Sequence, residues 1–552
     1  MIFSRTIFFL LILPVCSQAQ TWKWAKSLGN ANSNTTIKTI KPNTGTNALV
    51  CGSFAGTTLS LGNQSIPNSG QDDGFVAITN PDGQYLWATK VGGTARDVAI
   101  DAATASNGDF VVVGTYKSLS LTIGATTLTN SGETDIFVVK FLQDKTLAWV
   151  KKIGTADIEE VSGVAIDAND QIYVSGQVFD KNTFTILHTF LRKLDPQGNQ
   201  IWEQKGTIMG TWFKTTALAI DASQHIYLTG TLNGIATFSG NTLTCDTTNA
   251  AFIIKYSPSG AVADKYLNPD IDQINSLQIQ GDKLYACAEK TRWCFGWGWP
   301  LSHSSIHTLQ MDTDFNLIWH KKSGGETDCF SLDIAKSMSV DPDGNVYVAG
   351  SFFSDTLQFA GLSYPNLFHI HYYYPQIFVY KYSPAGEELW AKTMGGILSD
   401  EATSLLAYDD DKFYLGGNFE SEQVTFGTHA VQNASSLDSM YVHLFPKRFV
   451  RTTMGFISMF DKTATSAYPE PVAGELKILP NPVSNYMSVQ LEQPADAPLT
   501  LRIIAANGQI FRQTVYATPP FLIQEDVSGL TAGMYYVLVH TANKTYVGKM
   551  VK

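Results

Sequence analysis

Short runs of apolar residues alternate with turn residues along most of this chain. A typical run, VYVAG, ends at Gly350 and follows the turn-forming segment DPDGN. Alternation of this length between Gly, Pro, Asp and Asn clusters is typical of β-strands. No amphipathic helical pattern of ten residues separates these runs. The pattern therefore predicts an all-β chain.

The glycine-ended strand recurs seven times at intervals of 62, 62, 54, 58, 62 and 67 residues. Its copies end at Gly52, Gly114, Gly176, Gly230, Ala288, Gly350 and Gly417. A second strand such as DIFVVKF or IFVYKYS follows each copy, and a strand such as DVAIDA precedes it. Because a single hairpin cannot bury its own apolar face, such recurrence indicates a repeat architecture.

A fourth strand in each unit carries an aromatic residue, often as WAK or WVKK. Tyr266 takes this position in the fifth copy, and elsewhere it is held by Trp24, Trp87, Trp149, Trp202, Trp319 and Trp390. Seven units of four strands predict a seven-bladed β-propeller over residues 20–460, with an open β-solenoid or a string of small sandwiches as alternatives. We expect these aromatic side chains to pack between neighbouring blades.

The units read W-x-x-x-x-G-G, then D-x-x-G-N-x-Y-V-x-G, then F-V-x-K. This pattern resembles the bacterial β-propeller repeats called SBBP repeats, over roughly Thr21 to Phe460. The resemblance is best around Trp87 and Trp390 and poor around residues 265–310. The family has no catalytic motif to transfer, so the resemblance implies a fold and not an activity.

The segment DPDGNVYVAG also has the alternating oxygen ligands that open a calcium loop, at Asp341, Asp343 and Asn345. An EF-hand requires glycine at its sixth position and glutamate at its twelfth, and Val346 and Phe352 stand there instead. Other copies place lysine in these positions, which a calcium site does not tolerate. The segment is therefore predicted to be a hairpin turn.

The two ends of the chain indicate export. Arg5, an apolar run from Ile7 to Val15, and Ser17-Gln18-Ala19 predict a signal peptide over residues 1–19, with a lipoprotein signal at Cys16 as the alternative. No later segment approaches the roughly 18 apolar residues of a membrane helix. The formal charge of −11 argues against a nucleic-acid partner.

After Phe460, residues 461–474 are predicted to form a linker and residues 475–552 a small β-sandwich. LPNPVSNYMSV, IIAANGQIFRQ, VSGLTAGMYYVLV and GKMVK resemble the type A C-terminal sorting domain of the type IX secretion system of Bacteroidota. The resemblance implies recognition by that machinery, tail removal, and release or surface attachment. Gly533 is expected to supply a backbone angle that other residues resist. The sorting residues implied are Pro480, Asn481, Pro482, Gly508, Gly529, Leu530, Gly533, Tyr535 and Lys549.

The sequence contains few residues in the patterns that catalytic, cofactor-binding or metal-binding sites require. Carboxylates recur near a strand start at Asp97, Glu160, Asp333 and Asp400, and recurrence favours turn-fixing hydrogen bonds over catalysis. No hydrolase, zinc-protease or P-loop motif is found. We therefore predict no catalytic residue, no cofactor and no resident metal. A disulfide between Cys287 and Cys294 is left open.

Two aromatic-rich segments depart from the repeat, in positions where other units have loops or short hairpins. These are TRWCFGWGWPLSHSSIH and YPNLFHIHYYYPQ, and the candidate ligand-binding residues in them are Trp293, Trp297, Trp299, His369, His371, Tyr372, Tyr373 and Tyr374. Alternatively, these side chains only pack on one another. A metal site formed by His303, His307, His369 and His371 is a weaker alternative, since no third ligand type is placed with them.

The sequence thus predicts an exported binding module that acts at the cell surface or outside the cell, on a carbohydrate or protein ligand. The alternatives are a polysaccharide-active hydrolase or lyase with its site at the propeller mouth, and a protein-binding adhesin. These three functions share one fold, and the ligand decides between them.

Overall fold

The protein is described by a computed structural model that covers residues 21–29, 34–296, 299–324, 332–366, 374–433, 435, 438–442, 445–450, 452–462, 472–490, 499–505, 510–516, 522–540 and 544–552. All regular structure in these ranges is β, in 45 strands. The all-β prediction is confirmed. The predicted signal peptide, 1–19, lies outside the described residues.

The first half of the chain forms two four-stranded sheets and one seven-stranded sheet, all antiparallel. Strand β1 (Thr21–Leu28) belongs to a later sheet. The first sheet has the order β2-β3-β6-β7, and the second β13-β12-β9-β8. Their strands are β2 (Thr35–Pro42), β3 (Ala48–Ala55), β4 (Thr58–Leu61), β5 (Gln64–Pro67), β6 (Asp72–Thr79), β7 (Tyr85–Val91), β8 (Asp97–Thr104), β9 (Phe110–Tyr116), β10 (Ser120–Ile123), β11 (Thr126–Thr129), β12 (Asp135–Phe141) and β13 (Leu147–Ile153), of which β4-β5 and β10-β11 are small separate hairpins.

The seven-stranded sheet joins the third and fourth units. Its strand β17 is 21 residues long, so its first part ends the third unit and its second part begins the fourth. The sheet runs in chain order through β14 (Ile158–Ile166), β15 (Ile172–Phe179), β16 (Ile186–Leu194), β17 (Gln200–Ile220), β18 (Ile226–Phe238), β19 (Asn241–Tyr256) and β20 (Val262–Asn268).

The fifth to seventh units are four-stranded sheets again, in the orders β21-β22-β23-β24, β25-β26-β29-β30 and β1-β37-β32-β31. Their strands are β21 (Gln273–Gln280), β22 (Lys283–Gly296), β23 (Trp299–Asp312), β24 (Leu317–Ser323), β25 (Ile334–Val340), β26 (Val346–Phe352), β27 (Thr356–Phe359), β28 (Leu362–Pro365), β29 (Gln376–Tyr382), β30 (Glu388–Met394), β31 (Asp400–Asp409), β32 (Lys412–Phe419), β33 (Gln423–Phe426), β34 (His429–Gln432), β35 (Asp438–Val442), β36 (Phe445–Val450) and β37 (Met454–Asp461). Strands β27-β28, β33-β34 and β35-β36 are separate hairpins.

The first strands of the seven units contact one another in a closed cycle, in the order β2, β8, β14, β17, β21, β25, β31 and back to β2. The cycle is also closed at the outer edge of the last sheet. There β1, from the start of the described chain, pairs with β37 from Thr21 opposite Asp461 to Leu28 opposite Gly455. The first described strand thus supplies the outer strand of the last sheet and joins the two ends of the repeat region.

Seven buried apolar clusters lie between successive sheets. The cluster between the first and second sheets joins Cys51 and Val76 to Val112 and Phe137, and the cluster that joins the last sheet to the first includes Trp24 and Ile37. Hydrophobic burial is thus distributed between sheets rather than gathered in one centre. This arrangement suits units that cannot bury their apolar faces alone.

The recurring aromatic residues pack between sheets, as the sequence predicted. The Trp24 indole donates to the Pro81 carbonyl at 2.8 Å, and Trp149 donates to the Pro196 carbonyl at 3.0 Å, each time in the following unit. Tyr266, in the tryptophan position of its unit, lies 5.7 Å from the Phe315 ring of the next. Each ring therefore ties the outer strand of one sheet to a turn of its neighbour.

The segment DPDGNVYVAG is a hairpin turn, as predicted. The Asp341 carboxylate accepts the backbone N–H groups of Asp343 and Asn345 at 3.0 and 2.9 Å and the Tyr347 hydroxyl at 3.1 Å. Gly344 has a φ of 85°, a left-handed value that favours glycine. Lys381, from the F-V-x-K strand, lies 5.2 Å from the Tyr347 ring, so the two repeat motifs form one cation–π contact.

The C-terminal region has a five-stranded sheet, β38-β45-β44-β41-β42, and a three-stranded sheet, β39-β40-β43. Both contribute side chains to one core, such as Met487 and Ile523 from the second and Leu501 and Val537 from the first. The strands are β38 (Val472–Glu475), β39 (Lys477–Leu479), β40 (Tyr486–Gln490), β41 (Leu499–Ala505), β42 (Ile510–Tyr516), β43 (Leu522–Asp526), β44 (Met534–His540) and β45 (Lys544–Val551). Strands β37 and β38 reach into both ends of the segment predicted as a linker, 461–474.

Candidate functional site

Each of the seven first strands contains a β-bulge at the same position. One strand then has an extra residue that opposes no partner of its own, which breaks the alternation of side chains between the two faces. We call the seven extra residues the bulge ring. They are Lys38, Ile100, Ser162, Thr216, Asn275, Lys336 and Thr403.

The repeated glycine of the second strand makes room for this bulge. A Cβ on Gly350 would lie 1.9 Å from the Ile334 carbonyl oxygen, and one on Gly230 would lie 1.9 Å from that of Lys214. Real Cβ atoms do not approach so closely, so these positions require glycine for space rather than for a turn. The glycine accompanies the bulge in six units, while the fifth unit keeps the bulge with Ala288 in the glycine position.

The bulge ring separates two cavities that lie along the cycle of first strands. The larger cavity has a volume of about 540 Å³ and the smaller about 410 Å³. Ser162, Thr216, Asn275 and Lys336 of the ring line both. The two cavities are within the range of ligand sites in proteins, about 300 to 1,000 Å³.

Most ring side chains contact the next unit. Asn275 donates to the Ala335 carbonyl at 2.9 Å, Thr403 donates to the Ile37 carbonyl at 3.0 Å, and Thr216 donates to the Ile274 carbonyl. Lys336 forms an ion pair with Glu401 at 3.2 Å. These contacts join the sheets at their innermost edges. They also fix the wall of the two cavities, which we together call the channel.

The two cavities differ in charge. Four charged residues line the larger one, namely Lys38, Lys41, Asp101 and Lys336, and Lys41 pairs with Asp101 at 3.2 Å. The smaller one is lined by Glu160, Lys214, Glu289 and Lys336. Burial raises the pKa of Glu289, and a hydrogen bond from Asn275 and the charge of Lys336 oppose that change.

The turn-fixing role predicted for the recurrent carboxylates is observed for three of them. Asp400 accepts from the Gly396 N–H at 2.6 Å and from the Ser421 hydroxyl at 2.7 Å, and Asp97 and Asp333 bind their turns in the same way. Glu160 is an exception, because Glu159 binds the Thr155 N–H at 3.1 Å. Glu160 instead lines the smaller cavity, so the prediction for this residue was wrong by one position.

The aromatic segment of the fifth unit is a hairpin rather than an irregular loop. Strands β22 and β23 pair continuously to their ends, with Trp293 opposite Ser302 and Gly296 opposite Trp299. This hairpin replaces the separate two-stranded hairpins of other units. Trp293 and Trp299 thus lie in its distal half, while Trp297 lies outside the described residues.

The aromatic segment of the sixth unit ends at the same edge of the cycle. The Pro375 carbonyl accepts from the N–H of Asp400, at the start of β31, at 3.1 Å, and Ser304 of β23 donates to the Asp333 carbonyl, just before β25, at 2.9 Å. The described ends of both segments therefore lie where first strands start, and Glu160, near the start of β14, brings the smaller cavity there too. Tyr374 is buried, and His369, His371, Tyr372 and Tyr373 lie outside the described residues.

The histidines of β23 do not form a metal site among the described residues, where no group of three metal-ligating side chains occurs. Instead, the buried His307 ring contacts His320 at 2.8 Å, between Nδ1 and Nε2, and Ser305 at 3.0 Å. Cys287 is a buried free thiol. Cys294 lies seven residues further along the same extended strand, too far for the disulfide left open by the sequence.

Protonation of His307 should make stability depend on pH. Burial and the neighbouring His320 lower the pKa of His307 to about 3, so the unfolded chain, with its pKa near 6.5, gains the proton first as the pH falls. Stability is then lost progressively from pH 6.5 towards pH 3, by about 2 kcal/mol at pH 5. Urea unfolding at pH 7.5 and 5 measures this loss, which we expect to shrink in H307Q but not in H429Q. An equal loss in H307Q and the unmodified protein would contradict the assignment.

Two of the predicted sorting residues, Asn481 and Gly533, bind Val551 and Lys552. The Asn481 side chain accepts from the Val551 N–H at 2.9 Å, and Gly533 exchanges two backbone hydrogen bonds with Lys552, at 3.0 and 2.8 Å. Leu530 and Tyr535 are buried in the core, while Pro480, Pro482 and Gly529 are exposed. Lys549 pairs with Tyr536 in the sheet, and Gly508 lies outside the described residues.

The expectation that Gly533 needs an unusual backbone angle was wrong. Its φ lies outside the left-handed region, and an added Cβ would meet only a Tyr535 ring carbon at 3.9 Å, an ordinary contact. Its position is explained by the hydrogen bonds with Lys552 instead. The residue after it begins β44, which extends from Met534 to His540.

Comparisons with known proteins give remote similarity over the repeats. An uncharacterized WD repeat-containing protein, L264, of Acanthamoeba polyphaga mimivirus is 20% identical over 457 residues, which are 73% of this chain and 31% of that protein. The chain thus spans about a third of that relative. Among the described residues, no helix is long and apolar enough to cross a membrane.

Solved structures are similar only at a distance. Sqt1 from Chaetomium thermophilum is 8% identical, with a TM-score of 0.33 over 80% of this chain and 99% of its own. The phage phi92 endosialidase is 8% identical, with a TM-score of 0.34 over 87% and 74% of the two chains. These similarities are too remote to assign an activity.

The tail, in contrast, matches a family. Residues 477–552 match the secretion system C-terminal sorting domain. The match spans the two sheets whose motifs converge on Val551 and Lys552. The C-terminal region is therefore a type IX sorting domain, and the protein is exported to the cell surface or the medium.

Proposed function

We propose that this protein is a secreted seven-bladed β-propeller, followed by a β-sandwich sorting domain, that acts outside the cell as a binding module. The closed cycle of seven first strands and the seven apolar clusters between sheets support the propeller. A signal peptide over residues 1–19 starts export, and the type IX machinery recognises the tail. Rigid propellers present connections at their edges, where binding residues are commonly found.

A common edge of the cycle supports a binding surface there. The described ends of the two aromatic-rich connections, in the fifth and sixth units, lie at the same edge, and the smaller cavity lies at that edge as well. Aromatic rings stack on sugar rings or anchor a protein partner, and a polar cavity beside them supplies hydrogen bonds. A carbohydrate or protein ligand at this edge follows from that combination.

The test is a carbohydrate array probed with the chain from residue 20 onwards. We expect one glycan class to bind, and the double variant W297A/W299A to bind it at least about tenfold more weakly, because it loses two stacking platforms. Y486A is the matched control, since Tyr486 is an exposed aromatic residue of the sorting domain. Equal affinity of the double variant and the control would exclude the hairpin as the contact surface.

The same array distinguishes a binding module from an enzyme. Glu160 and Glu289 both line the smaller cavity, and burial raises the pKa of Glu289, as a general acid requires. Release of shortened products from the bound glycan, lost in E289Q, would therefore identify a hydrolase that uses this carboxyl group. Binding without product supports the module.

A further inference from the structure

The larger cavity carries an excess of positive charge inside an acidic protein. Of its four charged lining residues, Lys41 and Asp101 neutralise each other at 3.2 Å, and the Asp101 carboxylate also accepts the Val164 N–H at 3.0 Å. Lys336 is paired with Glu401 at 3.2 Å. Lys38 is the remaining cation, and the formal charge of the whole chain is −11.

Lys38 differs from the other polar members of the bulge ring. Thr216, Asn275, Lys336 and Thr403 each bind the following unit, whereas no described residue forms a hydrogen bond or ion pair with the Lys38 ammonium group. Its side chain is exposed to the channel, not packed into the wall. A cation held in this way has its charge available to a ligand.

The electrostatic surroundings support the same view. Although the Lys38 side chain is exposed to the cavity, the surrounding walls partly desolvate its ammonium group and lower the pKa of Lys38. Repulsion from Arg96 and Lys336 lowers this pKa further, and Glu401 opposes these effects. The charged form of Lys38 is thus less favourable here than in water. A bound anion would stabilise that form, and its binding energy would include the relief of this repulsion.

We propose that the larger cavity is a binding site for a small ligand bearing an oxyanion, a carboxylate or a sulfate, with Lys38 as its charged contact. Its volume of about 540 Å³ accommodates a ligand of sugar size. The cavity extends to Gly45, Thr46 and Asn47, in the turn after the first strand β2. The site is therefore nearer the edge opposite the aromatic connections, and Lys38, its charged contact, does not line the smaller cavity.

Serine hydroxyl groups that line the larger cavity are held by hydrogen bonds between units. Ser404 accepts the Ile40 N–H at 2.8 Å, and Ser337 accepts the Leu405 N–H at 3.0 Å. Ser162 contacts Thr215 at 2.6 Å across two units. The wall is thus rigid and hydrogen-bonded before any ligand binds, which reduces the entropy lost on binding.

The experiment titrates the purified chain from residue 20 onwards with sodium glucuronate and, separately, with sodium sulfate, by isothermal titration calorimetry. We expect at least one of them to bind, and K38M to bind it at least about tenfold more weakly, since it keeps the length of the side chain and loses its charge. K23M is the matched control, because Lys23 pairs with Asp82 at 2.6 Å and does not line the cavity. Binding of glucuronate alone identifies a carboxylate ligand, and binding of sulfate alone a sulfated one.

A second measurement uses the protein without any substitution, so it does not depend on whether a variant folds. Reductive ¹³C-methylation of lysines gives each ammonium group an NMR signal, and we expect the pKa of the dimethylated Lys38 to rise when the binding anion saturates the protein. The Lys23 signal should not change. Absence of binding by both anions, equal affinity of K38M and K23M, or an unchanged Lys38 pKa at saturation would each overturn the proposal.

Discussion

Deletion of residues 475–552 is expected to keep the protein in the periplasm. The signal peptide predicted over residues 1–19 would still direct passage across the inner membrane, but the sorting domain, matched over residues 477–552, would no longer be presented to the outer-membrane machinery. Cell fractionation and immunoblotting of a chain tagged in the exposed turn at Gly124 measure the outcome. We expect the tagged protein to move almost completely from the surface and medium to the periplasm.

A smaller deletion tests which part of the sorting domain matters. Hydrogen bonds between Asn481 and Val551 and between Gly533 and Lys552 join the first and third motifs to the end of the chain. Removing only Val551 and Lys552 takes these partners away. We expect this variant to be retained as well. The tagged full-length chain and a periplasmic marker enzyme serve as controls for export and leakage. Undiminished surface display of the 475–552 deletion would contradict the sorting role.

The repeat could be predicted from the sequence because the same residue types recur in its turns and at its aromatic positions. The Asp341 turn, the tryptophans such as Trp149 and the turn carboxylates such as Asp400 all make the contacts that their residue types suggested. Each of these roles depends on one side chain and a nearby backbone. Local chemistry of this kind survives in a single sequence.

The bulge ring and the channel that it lines could not be predicted from the sequence in the same way. Members of the bulge ring range from Lys38 through Ile100 to Asn275, so residue type gives no common signal. Glu160 was taken for the turn carboxylate that Glu159 provides because the two glutamates are adjacent, although Glu159 has the same separation of 17 residues from its glycine as Asp97, Asp333 and Asp400. The signal that could have identified the bulge ring is its constant separation from the repeated glycine. The ring residue stands fourteen positions before this glycine in six units.

The aromatic hairpin of the fifth unit shows a second limit. TRWCFGWGWP was recognised only as a departure from the repeat, yet β22 and β23 pair without a break from Lys283 to Gly296. The aromatic residues at positions 293, 295, 297 and 299 alternate along the segment. This period of two was the available signal for extended strands.

W22A is expected to be among the most destabilising single substitutions in the propeller. Trp22, on the closing strand β1, is 3% exposed and its ring lies 5.1 Å from Phe426, 5.3 Å from Phe460 and 5.7 Å from Phe413. Removing a buried aromatic side chain costs about 3 to 5 kcal/mol in unfolding free energy. Here the loss also weakens the pairing of β1 with β37, on which closure of the outer edge depends.

Chemical unfolding followed by tryptophan fluorescence measures this cost, with W212A as the matched control. Trp212 is 57% exposed, so its replacement should change the unfolding free energy by less than about 0.5 kcal/mol. If the ring is closed by β1, W22A should also expose the first and last units to protease before the others, because their shared edge opens first. Equal stability of the two variants would mean that the N-terminal strand adds little to closure, and that the contacts among the seven first strands hold the cycle together without it.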